Sequence, residues 1–126
     1  VVAADDGMDE ISLSSMTQVG ELINGKISHY SVRPEDFDIQ SQPDYSMLQI
    51  DSAQSSLAMV KQALSYEHQA AGDIVALNAG AAIYAANVVA SLADGVAAAR
   101  EVMKSGAALA KLDALVRFGE QAAQSS

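Results

Sequence analysis

The densest chemistry in this 126-residue chain is Asp5-Asp6-Gly7-Met8-Asp9-Glu10, set directly after the apolar Val1-Val2. Four carboxylates within six residues repel one another unless a cation or a donor-rich pocket is present. Oxygen ligands without His or Cys suit a hard ion such as Mg²⁺. That ion takes one or two carboxylates, keeps waters, and completes its shell with substrate phosphates. The spacing does not fit an EF-hand loop, which needs acids at alternating positions and a Glu at the twelfth. A strand that runs into a Gly-containing acidic loop is a common place for function in α/β proteins. A solvated acidic turn is the other reading, since Asp and Gly are ordinary turn residues. Spacing alone does not choose between them.

Other chemistries find less support. His29 and His68 stand 39 positions apart with no paired ligand spacing. His29 reads as a strand residue and His68 as a surface helix or loop residue. The serines lack a Gly-x-Ser-x-Gly elbow. Neither G-x-G-x-x-G nor G-x-x-x-x-G-K-[ST] occurs. The chain has no Cys, which excludes a disulfide framework, a thiolate metal site and a cysteine nucleophile.

The elements that must position the acidic loop can be read from the pattern around it. Asn24-Gly25 favours a type I′ turn between residues 18–23 and 26–32, pairing Leu22 with Ile27 and Val19 with Tyr30. A two-stranded hairpin is marginal alone and needs a sheet or helices to cover it. Pro34-Glu35-Asp36-Phe37 fits one short helical turn, with Pro first and acids at its positive end. Asp38 to Ile50 reads as a loop anchored by Phe37, Ile39 and one of Met47 or Leu48. Asp51-x-x-Gln54 has a capping-box pattern, and Leu57, Val60 and Leu64 follow at helical spacing. Asp73 is expected to open a second helix, whose stripe is Ile74, Leu77, Ala81, Tyr84 and Val88. Small residues surround that stripe, so this helix is expected at the buried centre of the segment. Ser91-x-x-Asp94 caps a third helix with Leu92, Val96, Ala99 and Met103 on one face, and Gly106 gives its left-handed exit. A fourth helix carries Leu109, Leu112 and Val116 and frays into Gln121–Ser126.

Charge divides the chain in the same place as the periodicity. Residues 1–51 hold ten acidic and two basic side chains, a net of −8, whereas residues 52–126 hold six and five, a net of −1. Alanine divides the other way, two against twenty-two. The overall charge of −9 argues against nucleic acid as a partner, because a phosphate backbone needs a basic face. It equally disfavours an anionic membrane surface. The longest apolar run, Ile74 to Ala90, is richer in Ala than in Leu or Ile and holds two Asn, so a buried helix is expected rather than a membrane span. No basic stretch precedes an apolar segment at Val1-Val2, so no secretory leader is expected.

In order along the chain, several blocks resemble the anthranilate phosphoribosyltransferase family. Asp6-Gly7-Met8-Asp9-Glu10-Ile11-Ser12 is similar to that family's Asp-Gly-(Leu/Met)-Asp-Glu-Ile-Ser loop. Thr17-Gln18-Val19, Glu21-Leu22, Gly25-Lys26-Ile27 and Tyr30 resemble its following hairpin, and Pro34-Glu35-Asp36-Phe37 its Pro-Glu-Asp-Phe. Asp73-Ile74-Val75 and Leu77-Asn78-Ala79-Gly80-Ala81-Ala82-Ile83-Tyr84 resemble its Asn-Ala helix, and Ser105-Gly106-Ala107 with Lys111-Leu112 and Leu115 its closing helix. Three departures stand out. Ala3-Ala4 replaces a His or small polar residue and Gly, Asp38 replaces the usual Gly, and only Ser52-Ala53 stands where Gly-Gly and Asn-Ala commonly precede the helix.

The resemblance implies an α/β fold: the C-terminal part of the large α/β domain of a phosphoribosyltransferase of the anthranilate/nucleoside-phosphorylase-like type. Residues 1–51 would supply strand, acidic metal-site loop, hairpin and connection, and residues 52–126 the helical segment of the same domain. It implies transfer of a phosphoribosyl group from 5-phosphoribosyl 1-diphosphate to anthranilate in tryptophan biosynthesis, in the cytoplasm, with Asp9 and Glu10 holding Mg²⁺. Both side chains can face one site only if the loop turns at Gly7. The N-terminal portion would carry the Gly-Thr-Gly-Gly-Asp diphosphate loop, the anthranilate contacts and the homodimer interface, so this piece alone would be inactive. A non-catalytic binding or assembly module on the same scaffold is the competing expectation, motivated by the lost glycines and Ala3-Ala4.

Overall fold

Three short strands and four helices order the chain, and the computed structural model describes residues 1–124. Strands β1 (Val2–Ala4), β2 (Thr17–Ile23) and β3 (Lys26–Val32) form one antiparallel sheet in the order β1-β2-β3. The expected hairpin is present in the expected register, with Val19 opposite Tyr30 and Leu22 opposite Ile27. Asn24 and Gly25 both take positive φ, 50° and 77°, as the type I′ turn requires. The hairpin gains its third strand from β1, with Val2 opposite Val19 and Ala4 opposite Thr17. The acidic loop is thus the β1–β2 connection.

Pro34–Phe37 forms the expected turn, of 3₁₀ type, and the Asp36 carboxylate accepts from the Arg33 N–H at 2.8 Å. Phe37 and Ile39 anchor the connection in the core, Leu48 packs partly against it, and Met47 stays exposed. Helices follow at α1 (Ala53–Leu64), α2 (Gln69–Ala85), α3 (Leu92–Lys104) and α4 (Ala107–Gln124). The core joins Ile11, Leu13 and Val19 of the sheet side to Ala76, Leu77, Val96 and Met103 of α2 and α3, so both charge regimes share it.

Several helix boundaries differ from the expectation. Ser52, not Asp51, caps α1, because its hydroxyl reaches the Ser55 N–H at 3.1 Å while Ser55 returns a bond to the Ser52 N–H. Helix α2 begins four residues earlier than Asp73, with the His68 imidazole accepting from the Ala71 N–H at 3.2 Å. Asp73 is instead buried inside α2, in the network described below. Leu57 and Val60 remain 48% and 41% exposed, since α1 buries only Ala63 and leaves an apolar cleft beside α2. Helix α4 likewise buries no residue completely. Tyr84 lies half-buried at a cleft edge, where a hydrogen bond to Glu21 raises its hydroxyl pKa. Val88 lies beyond the end of α2, exposed. Ser91 caps α3 as expected, and Gly106 exits it at φ 80°. The expected fraying at Gln121–Ser126 is not seen through Gln124, and Ser125 and Ser126 lie outside the described residues.

Two glycines set the distance between α2 and α3. A Cβ on Gly80 would lie 2.5 Å from the Val96 nitrogen, and one on Gly95 only 2.2 Å from the Gly80 carbonyl oxygen. The two backbones meet directly there, which fixes α2 as a rigid support for the loop above it.

Candidate metal loop

The acidic loop begins with a turn that only a flexible residue accepts readily. Gly7 sits at φ 93°, its N–H donating to the Ala4 carbonyl at 3.0 Å, and the Ala4 N–H donates to the Met8 carbonyl at 2.9 Å. The turn anticipated at Gly7 is therefore present, and the chain bends again at Asp9 and Glu10.

The four carboxylates have different surroundings. Asp5 accepts from the Gln18 amide at 3.2 Å. Asp6 is the hub of the loop. It accepts from the Ser12 and Ser14 hydroxyls at 2.5 and 2.6 Å, from the Met8 N–H at 3.1 Å, and from the Tyr45 hydroxyl. Burial pushes its carboxyl upward, but donation from Ser12, Ser14, Tyr45 and Met8 outweighs that and holds it well below the usual carboxylate range. The Tyr45 and Ser14 hydroxyl oxygens converge on Asp6 2.8 Å apart, so the connection after β3 is clamped onto the loop. Asp9 and Glu10 are exposed, and no described residue donates to either carboxylate.

Beyond Glu10 the chain is pinned from below. The Asn78 side chain, from the middle of α2, accepts from the Ile11 N–H at 2.8 Å and donates to the Ile11 carbonyl at 3.0 Å. Its second amide hydrogen reaches the Ile74 carbonyl at 3.0 Å. Ile11 is 1% exposed and Leu13 fully buried, so side chains and backbone hold this point together. Ser12 is also buried, and its N–H donates to the Thr17 hydroxyl oxygen at 3.1 Å.

Asp9 and Glu10 are thus the pair whose oxygens are free to serve a ligand, while Asp5 and Asp6 serve the loop. The roles of Asp6, Ser12, Ser14, Tyr45 and Asn78 were not read from the sequence. An Asn interrupting an apolar helical run was the available signal, since a half-buried carboxamide needs partners. Tyr45, 39 positions from Asp6, gave none. Among the described residues no three His, Asp or Glu side chains gather as a cation cage. Two exposed carboxylates fit a hard divalent ion that shares its shell with water and phosphate, and do not fit a closed all-protein site.

A second polar cluster ties the connection to the helices. Buried Asp73 accepts from the Tyr66 hydroxyl and from the Gln69 amide at 2.9 Å, with the Arg100 guanidinium 3.6 Å away. Arg100 donates to the Tyr66 hydroxyl at 3.2 Å and the Phe37 carbonyl at 3.0 Å. Burial raises the Tyr66 pKa, reinforced by Asp73 and opposed by Arg100.

The family model described as glycosyl transferase family, a/b domain, matches residues 1–109. The chain belongs to this family. It is 49% identical over 121 residues to the anthranilate phosphoribosyltransferase of Burkholderia multivorans, covering 96% of this chain and 35% of that protein. The enzyme of the same name from Burkholderia ambifaria is 48% identical over the same shares. The solved anthranilate phosphoribosyltransferase of Thermus thermophilus superposes with a TM-score of 0.81 at 34% identity, covering 94% of this chain and 34% of that one. The Saccharomyces cerevisiae enzyme, of which a variant has been solved with Mg bound, shares the fold at a TM-score of 0.75 and 20% identity, over 89% of this chain and 33% of that one. The chain therefore spans about a third of the length of the glycosyltransferase relatives it matches.

Within this glycosyl transferase a/b domain, two of the three departures noted in the sequence are absorbed by the scaffold. Asp38 takes φ 56° and ψ 37°, the left-handed conformation that explains a Gly preference there. Ala3 and Ala4 pair in register with Gln18 and Thr17. Neither departure disturbs Asp9 or Glu10.

Proposed function

We propose that this chain is the C-terminal part of a transferase that moves a phosphoribosyl group from 5-phosphoribosyl 1-diphosphate to the amino group of anthranilate. The reading is carried by one observation. In a chain 49% identical to a named anthranilate phosphoribosyltransferase, the loop leaves the Asp9 and Glu10 carboxylates exposed and unpaired, while every neighbouring acid is hydrogen-bonded. A pair of free oxygen ligands beside a rigid turn suits Mg²⁺ in the company of a diphosphate.

Asp9 and Glu10 would hold Mg²⁺, which when bound would supply Lewis-acid stabilisation of the leaving diphosphate. The work of this chain is positional. Asp9 and Glu10 supply one or two ligands, directly or through water, and Asp6 with its serine and tyrosine donors keeps the loop from collapsing onto them. Neither Asp9 nor Glu10 is assigned as a general base. The remaining two thirds of the protein would supply the diphosphate loop, the anthranilate contacts and the homodimer interface, so residues 1–126 alone would not turn over. The shared core supports reading residues 1–51 and 52–126 as one domain. Tryptophan biosynthesis in the cytoplasm is the setting this activity implies. Among the described residues no helix is long and apolar enough to cross a membrane.

The test is disappearance of anthranilate fluorescence in the full-length protein supplied with 5-phosphoribosyl 1-diphosphate and Mg²⁺. Turnover is expected, with Asp9→Ala/Glu10→Ala sharply weakening its Mg²⁺ dependence. Unchanged Mg²⁺ dependence in that variant refutes the metal role, and no turnover in the wild-type protein refutes the activity.

A further inference from the structure

We infer that Asn78 is a positioning residue for the metal loop, acting on Asp9 and Glu10 through the backbone of Ile11. The inference rests on the proposed reading of that pair as Mg²⁺ ligands.

The loop is bracketed at two points. On one side the Gly7 turn is tied to Ala4. On the other, Ile11 exchanges two hydrogen bonds with the Asn78 carboxamide, at 2.8 and 3.0 Å. Asp9 and Glu10 lie between these brackets, with no side-chain hydrogen bond of their own from the described residues. Their location follows from the brackets.

A carboxamide suits this task because it presents one acceptor and two donors on a short, planar group, matching the N–H and C=O of one peptide residue. Here all three are used, since the second donor returns to Ile74 in its own helix and fixes the rotamer. The helix beneath is itself held by the direct Gly80–Gly95 crossing two residues later. The chain of support therefore runs from the α2–α3 contact through Asn78 to Ile11, and so to the residue directly after Glu10. Second-shell partners of metal ligands are worth about 10- to 100-fold in metal affinity in characterised sites, and an indirect backbone anchor belongs near the lower end.

The experiment measures Mn²⁺ binding to the full-length protein by electron paramagnetic resonance, in the presence of inorganic diphosphate. Steady-state kinetics accompany it. Asn78→Leu keeps the heavy-atom branching and removes all three polar contacts. Binding of Mn²⁺ should weaken about tenfold, with kcat at saturating Mg²⁺ little changed. A purely structural role would lower the active fraction and leave the affinity of the remainder intact. Asn78→Asp keeps the shape and the acceptor to Ile11 but loses both donors; it should weaken binding in the same direction and serves if the Leu variant does not fold. Asn78 variants that bind Mn²⁺ like the wild type, while Asp9→Ala/Glu10→Ala does not, overturn the inference. Wild-type binding by Asp9→Ala/Glu10→Ala would instead overturn the ligand assignment on which it rests.

Discussion

Replacing Gly95 with Ala puts a methyl group where two backbones already touch. The new Cβ would stand 2.2 Å from the Gly80 carbonyl oxygen. Nonbonded heavy atoms settle at about 3.5 Å, so α2 and α3 would have to part by about 1 Å. Neither contact is the end of a flexible side chain that could swing aside. Overpacking of this kind costs about 3 kcal/mol at the upper end of its usual range. The gain in helix propensity from Gly to Ala offsets roughly 0.5–1 kcal/mol, which leaves a net loss of about 2 kcal/mol. The control is Gly119→Ala in α4, where nothing lies within 4 Å of the new Cβ. That change should stabilise by roughly 0.5–1 kcal/mol. Urea unfolding of the two variants beside the wild type, followed by far-ultraviolet circular dichroism, gives both signs in one experiment. A Gly95→Ala protein as stable as the wild type would refute the claim that the glycine crossing sets the α2–α3 distance. The support proposed for Asn78 would lose its foundation with it.

Three further outcomes follow from the same contacts. Asp6 has its folded-state pKa held below the ordinary carboxylate value. Its contribution to stability is therefore complete above about pH 4 and is lost as the pH falls. Asp6→Asn should flatten that part of the acid-denaturation profile, and an unaltered profile counts against the hub role. Asp38→Gly should raise stability by about 0.5–1 kcal/mol, read as a higher Tm, because Asp38 holds a left-handed φ of 56°. Asp38→Ala should lower Tm instead. Arg100→Leu leaves the buried Asp73 carboxylate without its cation and should cost about 3 kcal/mol in urea unfolding. The double variant Arg100→Leu/Asp73→Asn should recover part of that loss, and failure to recover any contradicts a charge-based account.

The hairpin was legible because its information is local. Asn24-Gly25 dictates the turn, and the turn dictates the Val19–Tyr30 register. The α3 cap and stripe were legible for the same reason. Helix starts were harder where several residues competed to cap. Ser52 outdid Asp51, and His68 supplied an imidazole cap that the usual Ser/Thr/Asp/Asn preference does not suggest. The α1 stripe gave the right element but not its burial, since a pattern of Leu57, Val60 and Leu64 says that a face is apolar without saying what meets it. At the loop, residue types alone gave four equivalent acids. Their separation into Asp5 and Asp6, spent on hydrogen bonds, and Asp9 and Glu10, left free, depends on partners as far away as Gln18 and Tyr45. Long-range pairing of that sort has no periodicity to reveal it.

Asp9 and Glu10 are proposed to hold the divalent ion. Crystals of the full-length protein soaked with Mn²⁺ and inorganic diphosphate test it most directly, through the anomalous signal of the metal. A Mn²⁺ peak is expected with Asp9 or Glu10 in its coordination shell or one water removed from it, and diphosphate oxygens on its other side. A fully occupied Mn²⁺–diphosphate site with both carboxylates still facing bulk solvent would contradict it.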